Sequence, residues 1–355
     1  MKTWLKRIGW SVLALLVVLG GVVLEYLHHG GQFRQLAPHF AGSCSTLPMQ
    51  ASAEDIQIDR TRGIAYLSYL DRRALVERKA VLGTVMLLDL NVPEPRPRAA
   101  LANEPPQFRP HGMSLYRAGD GTQRLFVISH PPGEAHRIEV FEQTSTGAFA
   151  PLRTLRDPLL VSPNAILAVG PNQFYVANDS GTRGGLGRAL ELLLRRGLST
   201  VTYFDGQRMR AVATGLQSAA GIAMSPDGSH VYVSETSGNR VAVFARNPAS
   251  GELAPLERIE LGSAPDNISV DSDGSVWIAA HAQVFALIRH FGDARRRSPT
   301  QVFRYQPAAR EGARLSEVFL DDGTRISAGS VGAAWGHQLL IGSITERKVL
   351  LCRLP

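Results

Sequence analysis

Apolar residues recur along the chain in short runs of about five, at 65–69, 125–129, 174–178, 231–235, 276–280 and 339–343, with successive runs 45 to 63 residues apart. Runs of that length, rich in Val, Ile, Tyr, Phe and Trp and bounded by turn residues, predict β-strands rather than helices. A second strand-like run follows each of them, at 84–90, 137–141, 200–204, 240–244, 301–305 and 349–352. Another precedes each one, often across a turn signal such as Gly170-Pro171-Asn172, Ser225-Pro226-Asp227-Gly228 or Ser272-Asp273-Gly274. Several units add a fourth candidate, as at 256–261 and 315–319. Six tandem units of about four strands predict an all-β fold, a six-bladed β-propeller. The sixth unit runs out of chain after Cys352, one strand short, so the segment around Cys44 is expected to close the ring.

Three segments depart from this pattern. Residues 186–198 place Leu186, Leu190, Leu193 and Leu194 at helical spacing, and residues 284–295 do the same with Val284, Leu287, Ile288 and Phe291. Both read as amphipathic helices inserted into the propeller, either packed on the blades or forming a lid that touches a membrane. The third is an apolar run of 17 residues, 8–24, preceded by Lys2, Lys6 and Arg7 and followed by Glu25, His28 and His29. That length is the short end of a transmembrane helix, and positive charge on its first flank predicts a cytoplasmic N-terminus. No small-x-small cleavage site follows, which favours an uncleaved anchor over a removed signal peptide. The chain is thus expected to divide into a membrane anchor, residues 1–30, and an exported propeller, residues 31–355, on the periplasmic or extracellular side.

Composition agrees with a globular, turn-rich chain: 44% hydrophobic and 19% charged residues, with 34 Gly and 21 Pro. The net charge of +7 is carried mostly by Arg, yet clusters such as Arg195-Arg196 and Arg295-Arg296-Arg297 are short, scattered and free of interleaved aromatics. A nucleic-acid partner is therefore not expected, and the basic surface reads as solvated or as facing anionic lipid. The two cysteines, Cys44 and Cys352, stand at opposite ends of the exported part, where an oxidising compartment permits a bridge across the ring's seam. Their placement favours that bridge over two separate buried thiols. No stretch reads as a nucleotide loop, a zinc cluster or a Gly-x-Ser-x-Gly elbow.

The candidate chemistry stands just before the first strand of each unit. In the fifth unit, Asp266 and Asn267 precede an apolar strand, the turn Asp271-Ser272-Asp273-Gly274 follows, and a second apolar strand leads away. The innermost strands of a propeller line its channel, so the positions at their starts face one another: Glu54 and Asp55, His111, Asn164, Ala220, Asp266 and Asn267, then Ala328 and Gly329. A single Asp or Asn at such a place ordinarily caps a turn. Their coincidence across units points instead to one hard cation, and the number of oxygen ligands suits calcium better than magnesium.

These positions lie within Ala53-Glu54-Asp55-Ile56, Phe108-Arg109-Pro110-His111-Gly112-Met113-Ser114, Ser129-His130-Pro131, Leu167-Ala168-Val169-Gly170-Pro171, Asn178-Asp179, Pro265-Asp266-Asn267-Ile268-Ser269-Val270 and Leu340-Ile341-Gly342. Together the stretches resemble the paraoxonase/arylesterase family of calcium-dependent six-bladed propellers, over nearly the whole exported chain. The resemblance implies catalytic calcium ligands at Glu54, Asn164, Asp266 and Asn267, a histidine dyad at His111 and His130, and a ring-closing disulfide between Cys44 and Cys352. It implies hydrolysis of lactones or aryl esters, with calcium polarising the carbonyl and His111, oriented by His130, activating water. Two positions depart from the family. A further Asn ligand is replaced by Ala220, so calcium is expected to bind more weakly, with water in the vacant position. The family's second, structural calcium would use Asp55, but the second Asp it needs is here Ala165. Asp179 and the two amphipathic segments are expected to line the pocket. Two other readings are a non-catalytic propeller that binds or scaffolds, favoured by Ala220 and Ala165, and a strictosidine-synthase-like propeller, which the Asp266-Asn267 pair and the Pro-His-Gly stretch count against.

Overall fold

The computed structural model describes residues 2–355, so only residue 1 of the expected anchor lies outside it. Its described residues form six four-stranded antiparallel sheets arranged as blades around a channel. The six predicted apolar runs are the second strands of the blades: Ile64–Leu70, Gln123–Ser129, Phe174–Asn178, His230–Glu235, Val276–His281 and Gln338–Ser343. They lack polar alternation because both faces of each sheet are covered by neighbouring blades. Six apolar clusters result, one in each seam, such as Tyr66, Phe108, Phe141 and Phe149 between the first two blades. Outer strands face water, as the run of exposed residues within Leu253–Glu260 shows. The hairpins leading from inner to second strands turn at residues such as Gly228 and Gly274, whose φ values of 73° and 82° suit a residue without a Cβ.

The ring closes as the sequence predicts. Ser43–Pro48 adds antiparallel to Lys348–Arg353 and completes the sixth blade, with Cys44 directly opposite Cys352 and bonded to it. The inner strands are Ser52–Asp59, Pro110–Arg117, Pro163–Ala168, Ala219–Met224, Ala264–Val270 and Gly329–Trp335. Each carries a β-bulge near its start. Opposite single residues of the second strands stand Glu54 with Asp55, His111 with Gly112, Ala220 with Gly221, and Asp266 with Asn267; Asn164 and Ser330 are single insertions in the other two blades. The sixth channel position is therefore Ser330, one residue beyond the expected Ala328 and Gly329. Ala328, with φ of 51°, makes the turn that enters the strand.

Four helices complete the chain: α1 (Lys2–His29), α2 (Arg72–Val76), α3 (Gly185–Leu193) and α4 (Val284–Gly292). Residues Arg7–His29 of α1 are long and apolar enough to cross a membrane, at about 1.5 Å rise per residue. Both amphipathic segments are helical but shorter than expected. The chain after α3 turns through Arg195, at φ 47°, to reach the strand Ser199–Phe204, and α4 yields to extended backbone at Asp293. α2 is a short turn of helix that the apolar pattern did not show, started by Asp71, whose Oδ1 accepts from the Ala74 amide. Helices α2, α3 and α4 all follow second strands, so they share the channel end that carries the bulges. On α3 only Glu191 is buried, while Leu186, Leu190, Leu193 and Leu194 are exposed, so its apolar face does not pack on the blades. The end of α1 is tied beside it: Arg195 pairs with Glu25, Tyr26 donates to the Leu193 carbonyl, and the Val284 amide donates to the Gly30 carbonyl.

Replacing both Cys44 and Cys352 with serine removes a cross-link that spans a separation of 308 residues. The loss is expected to cost about 2–5 kcal/mol, which at about 2 °C per kcal/mol for a domain of this size lowers the melting temperature by roughly 4–10 °C. A fall below about 2 °C in calorimetry would show that strand pairing alone holds the seam.

Candidate metal centre and histidine chain

The bulges aim polar side chains at one level of the channel, and the inner strands approach closely enough for them to meet. A Cβ on Gly112 would lie 2.3 Å from the Asn164 carbonyl oxygen, and one on Gly221 would lie 2.4 Å from that of Asp266, so glycine is required at both. Glu54 is at the centre and only 2% exposed. Its Oε1 accepts from Asn267 Nδ2 at 2.8 Å, and its backbone carbonyl accepts from Asn267 Nδ2 and from Ser330 Oγ at 2.7 Å. Asp266 Oδ2 lies 3.1 Å from His281 Nε2. Asn164 Nδ2 donates to Asp179 Oδ2 at 3.2 Å, which turns Asn164 Oδ1 away from Asp179. Asn164 Oδ1 and Glu54 Oε2 are both buried with no hydrogen-bond donor. Two orphaned oxygens beside a second carboxylate and a further amide form a donor set that fits a hard cation such as calcium.

Charge around Glu54 is arranged to keep it ionised. Burial, the largest influence, pushes its pKa up, but His111, Arg72 and Asn267 together outweigh that and hold it at about 2. His111 Nε2 lies 3.5 Å and Arg72 Nη2 3.7 Å from Glu54 Oε2. Burial works against the charged form of His111 as well, yet the Glu54 carboxylate raises its pKa overall. Asp266 is pushed up, first by burial and then by Glu54, against the pull of His281. Asp55, next to Glu54 in the same bulge, accepts from the Met113 amide at 2.7 Å and faces Gln57 Nε2 at 3.3 Å. Burial, reinforced by Glu54, pushes Asp55 up to about 7. Ala165, beside Asn164, offers no side-chain oxygen, so these residues do not fit a second cation.

Beside the ring runs a file of three imidazoles. His111 Nδ1 is 2.9 Å from His130 Nε2, and His130 Nδ1 is 2.7 Å from His136 Nδ1. His111 comes from the second blade's bulge, His130 follows that blade's second strand, and His136 precedes its third strand, Arg137–Gln143. Asp179, expected in the pocket wall, stands behind Asn164, where it also accepts from Ser162 Oγ at 2.5 Å and from Arg188 of α3 at 2.7 Å.

The structure therefore brings Glu54, His111, Asn164, Asp266 and Asn267 together, with His130 behind His111. Residues that the sequence reading passed over are Arg72, His136, Arg188, His281 and Ser330. A signal for His281 exists: the last residue of each second strand lies opposite the start of an inner strand, as His281 opposes Ala264 and Asn178 opposes Pro163. A cavity of about 990 Å³ at the other end of the ring, lined by Arg60, Pro93, Trp335 and Arg353, is remote from these groups, and Arg60 is already paired with Asp271 at 2.9 Å.

Comparison with known proteins places the chain among relatives of known family. Serum paraoxonase/arylesterase 1 of Rattus norvegicus is 31% identical over 357 residues, covering 96% of this chain and 98% of the relative. Serum paraoxonase/lactonase 3 of the same organism is 26% identical, covering 98% and 99%. Among solved structures, the calcium-binding protein regucalcin of Agrobacterium tumefaciens superposes with a TM-score of 0.52 at 16% identity, covering 89% of this chain and 96% of that one, a likeness of fold. The sequence model of the Arylesterase family matches residues 52–354. The chain belongs to the arylesterase family.

Proposed function

We propose that the protein hydrolyses lactones and aryl esters with the help of one calcium ion held by Glu54, Asn164, Asp266 and Asn267. The observation that carries this reading is the pair of buried, donorless oxygens, Glu54 Oε2 and Asn164 Oδ1, beside His111. Bound there, calcium would stabilise negative charge as it develops on the substrate carbonyl oxygen. His111 takes a proton from water, the hydroxide adds to the carbonyl carbon, and the bond to the leaving oxygen breaks as that oxygen gains a proton. His130 fixes the His111 ring through its Nδ1. Asp179 holds the Asn164 amide so that its carbonyl faces the channel, and Arg188 steadies Asp179 in turn. Asp55 acts as a structural tie between the first and second blades through the Met113 amide, not as a ligand of a second ion.

The surroundings support an apolar substrate approaching from a bilayer. α1 anchors the protein, Lys2, Lys6 and Arg7 keep its first turn on the cytoplasmic side, and the disulfide suits an oxidising exported compartment. Leu186, Leu190 and Leu193 of α3, with Val76, Leu82 and Ile288, are exposed on or beside the crossovers of the channel end that holds the site.

Activity on a panel of lactones and aryl esters is expected to fall by roughly 100-fold or more on chelation and to return with calcium. Activity untouched by chelator removes the metal from the reaction, and none in millimolar calcium leaves the binding-module reading that Ala220 favours. Ala220→Asn adds an oxygen ligand and should tighten calcium binding by about tenfold in titration calorimetry; unchanged affinity would show that position 220 does not reach the ion. Asp55 holds its proton at about 7, against 3.8 for an ordinary aspartate. A proton bound more tightly in the native state stabilises it in acid, and that stabilisation is lost as pH rises through about 7. In chelator, the melting-temperature advantage of Asp55→Asn should therefore grow between about pH 5 and pH 8, and a constant difference would mean that Asp55 is ionised throughout.

A further inference from the structure

The loop joining the second and third strands of the second blade carries a histidine at each end, and its rings continue the file that starts at the metal centre. His130 and His136 stand edge to face with centroids 4.5 Å apart, their Nδ1 atoms 2.7 Å apart. His136 Nε2 has no hydrogen-bond partner and is not among the buried unpartnered atoms, so it opens to water. Orienting His111 needs only one acceptor or donor behind it, and a backbone carbonyl or a carboxylate serves that purpose in most sites. A second imidazole whose outer nitrogen meets a third serves a different purpose, because each ring can accept on one nitrogen while donating from the other.

We propose that His136 is the outer terminal of a three-imidazole proton relay that connects the attacking water at His111 with bulk solvent. This rests on the hydrolase reading given above. At the start His111 and His130 each carry their proton on Nδ1 and His136 carries its proton on Nε2. A proton from the attacking water goes to His111 Nε2, the Nδ1 proton of His111 passes to His130 Nε2, that of His130 passes to His136 Nδ1, and the Nε2 proton of His136 leaves to solvent. Each ring ends neutral with one proton, and the hydroxide electron pair forms the bond to the carbonyl carbon. When the leaving oxygen takes the proton from His111 Nε2, the same shifts run in reverse, His136 draws one proton from water, and the file is reset. The product acid then loses its own proton, which balances the overall hydrolysis.

The surroundings keep the proton moving. Burial foremost, then His111 and His136, hold the His130 pKa well below its ordinary value, so charge does not settle on the middle ring. At the outer ring burial and the Arg183 guanidinium lower the His136 pKa, Arg188 and His111 add to that, and only Asp179 opposes. A protonated His136 therefore gives its proton to water.

His136 is thus a positioning residue that acts through His130. The test uses the full chain with calcium and an unsubstituted aliphatic δ-lactone, whose poor leaving oxygen needs the returned proton. For His136→Ala, kcat is expected to fall on the order of tenfold. KM, calcium affinity and melting temperature should stay as in the parent, and added imidazole should restore the rate. For His136→Gln, whose amide oxygen still accepts from His130 Nδ1 and fills the space, the same fall without rescue is expected. Should the alanine variant fail to fold, the glutamine variant carries the test. A kcat within about twofold of the parent in the folded variants at low buffer concentration overturns the relay, as does a loss that follows calcium affinity or melting temperature and ignores imidazole. His111→Gln and chelation run in parallel. If both abolish turnover while the His136 variants keep it, only the relay fails; if neither does, the hydrolase reading fails and the relay with it.

Discussion

An antiparallel strand that carries one residue more than its partner must push the surplus out of the ladder, and here the surplus falls near the start of all six inner strands. Regular pairing would alternate side chains between the two faces of a blade and bury them in the seams. The bulges instead turn a short polar segment of each strand toward the axis while the rest of the strand keeps its apolar contacts. Gly112 and Gly221 let neighbouring bulges touch backbone to backbone, so the polar groups from separate blades act as one cluster.

Such a cluster is costly to bury. Glu54, Asp55 and Asp266 are each less than a tenth exposed, and so are Arg72 and His281. The fold meets the cost in three ways. Arg72 and His111 face Glu54, His281 faces Asp266, and Asp55 keeps its proton. What stays unmet is acceptor capacity on Glu54 Oε2 and Asn164 Oδ1, which no described residue meets with a hydrogen bond. A divalent cation is the simplest completion of that arrangement. If the proposed calcium binds there, Arg72 would compete with it for the same carboxylate, a second ground beside Ala220 for the expected weaker affinity.

The blades were legible in the sequence because their middle strands are apolar on both faces, which leaves unbroken runs such as 174–178 and 276–280. Glu54, Asn164, Asp266 and Asn267 were legible because each breaks such a pattern at the same point of its unit. His136 and Arg72 were not, for a physical reason: they stand on crossovers between second and third strands, whose path over the channel end is set by packing and not by period. The α3 leucines show a related limit. Their helical spacing was plain, but spacing alone does not say whether an apolar stripe meets the protein or its surroundings, and here it meets the surroundings. Ser330 was missed by one residue because Ala328, Gly329 and Ser330 are alike in size and the turn at Ala328 leaves no mark in composition.

The seam strand Ser43–Pro48 has one more implication, for biosynthesis. It comes off the ribosome before any blade is made, and its hydrogen-bonding partner, Lys348–Arg353, follows only after all the other blade strands. Five blades can be assembled from consecutive hairpins while the chain is still emerging, but the sixth waits for its far end. Until then the apolar edges of the first and fifth blades stay open to water. A helper protein that shields those edges would therefore be needed until the strand 348–353 has emerged, after the other five blades have formed.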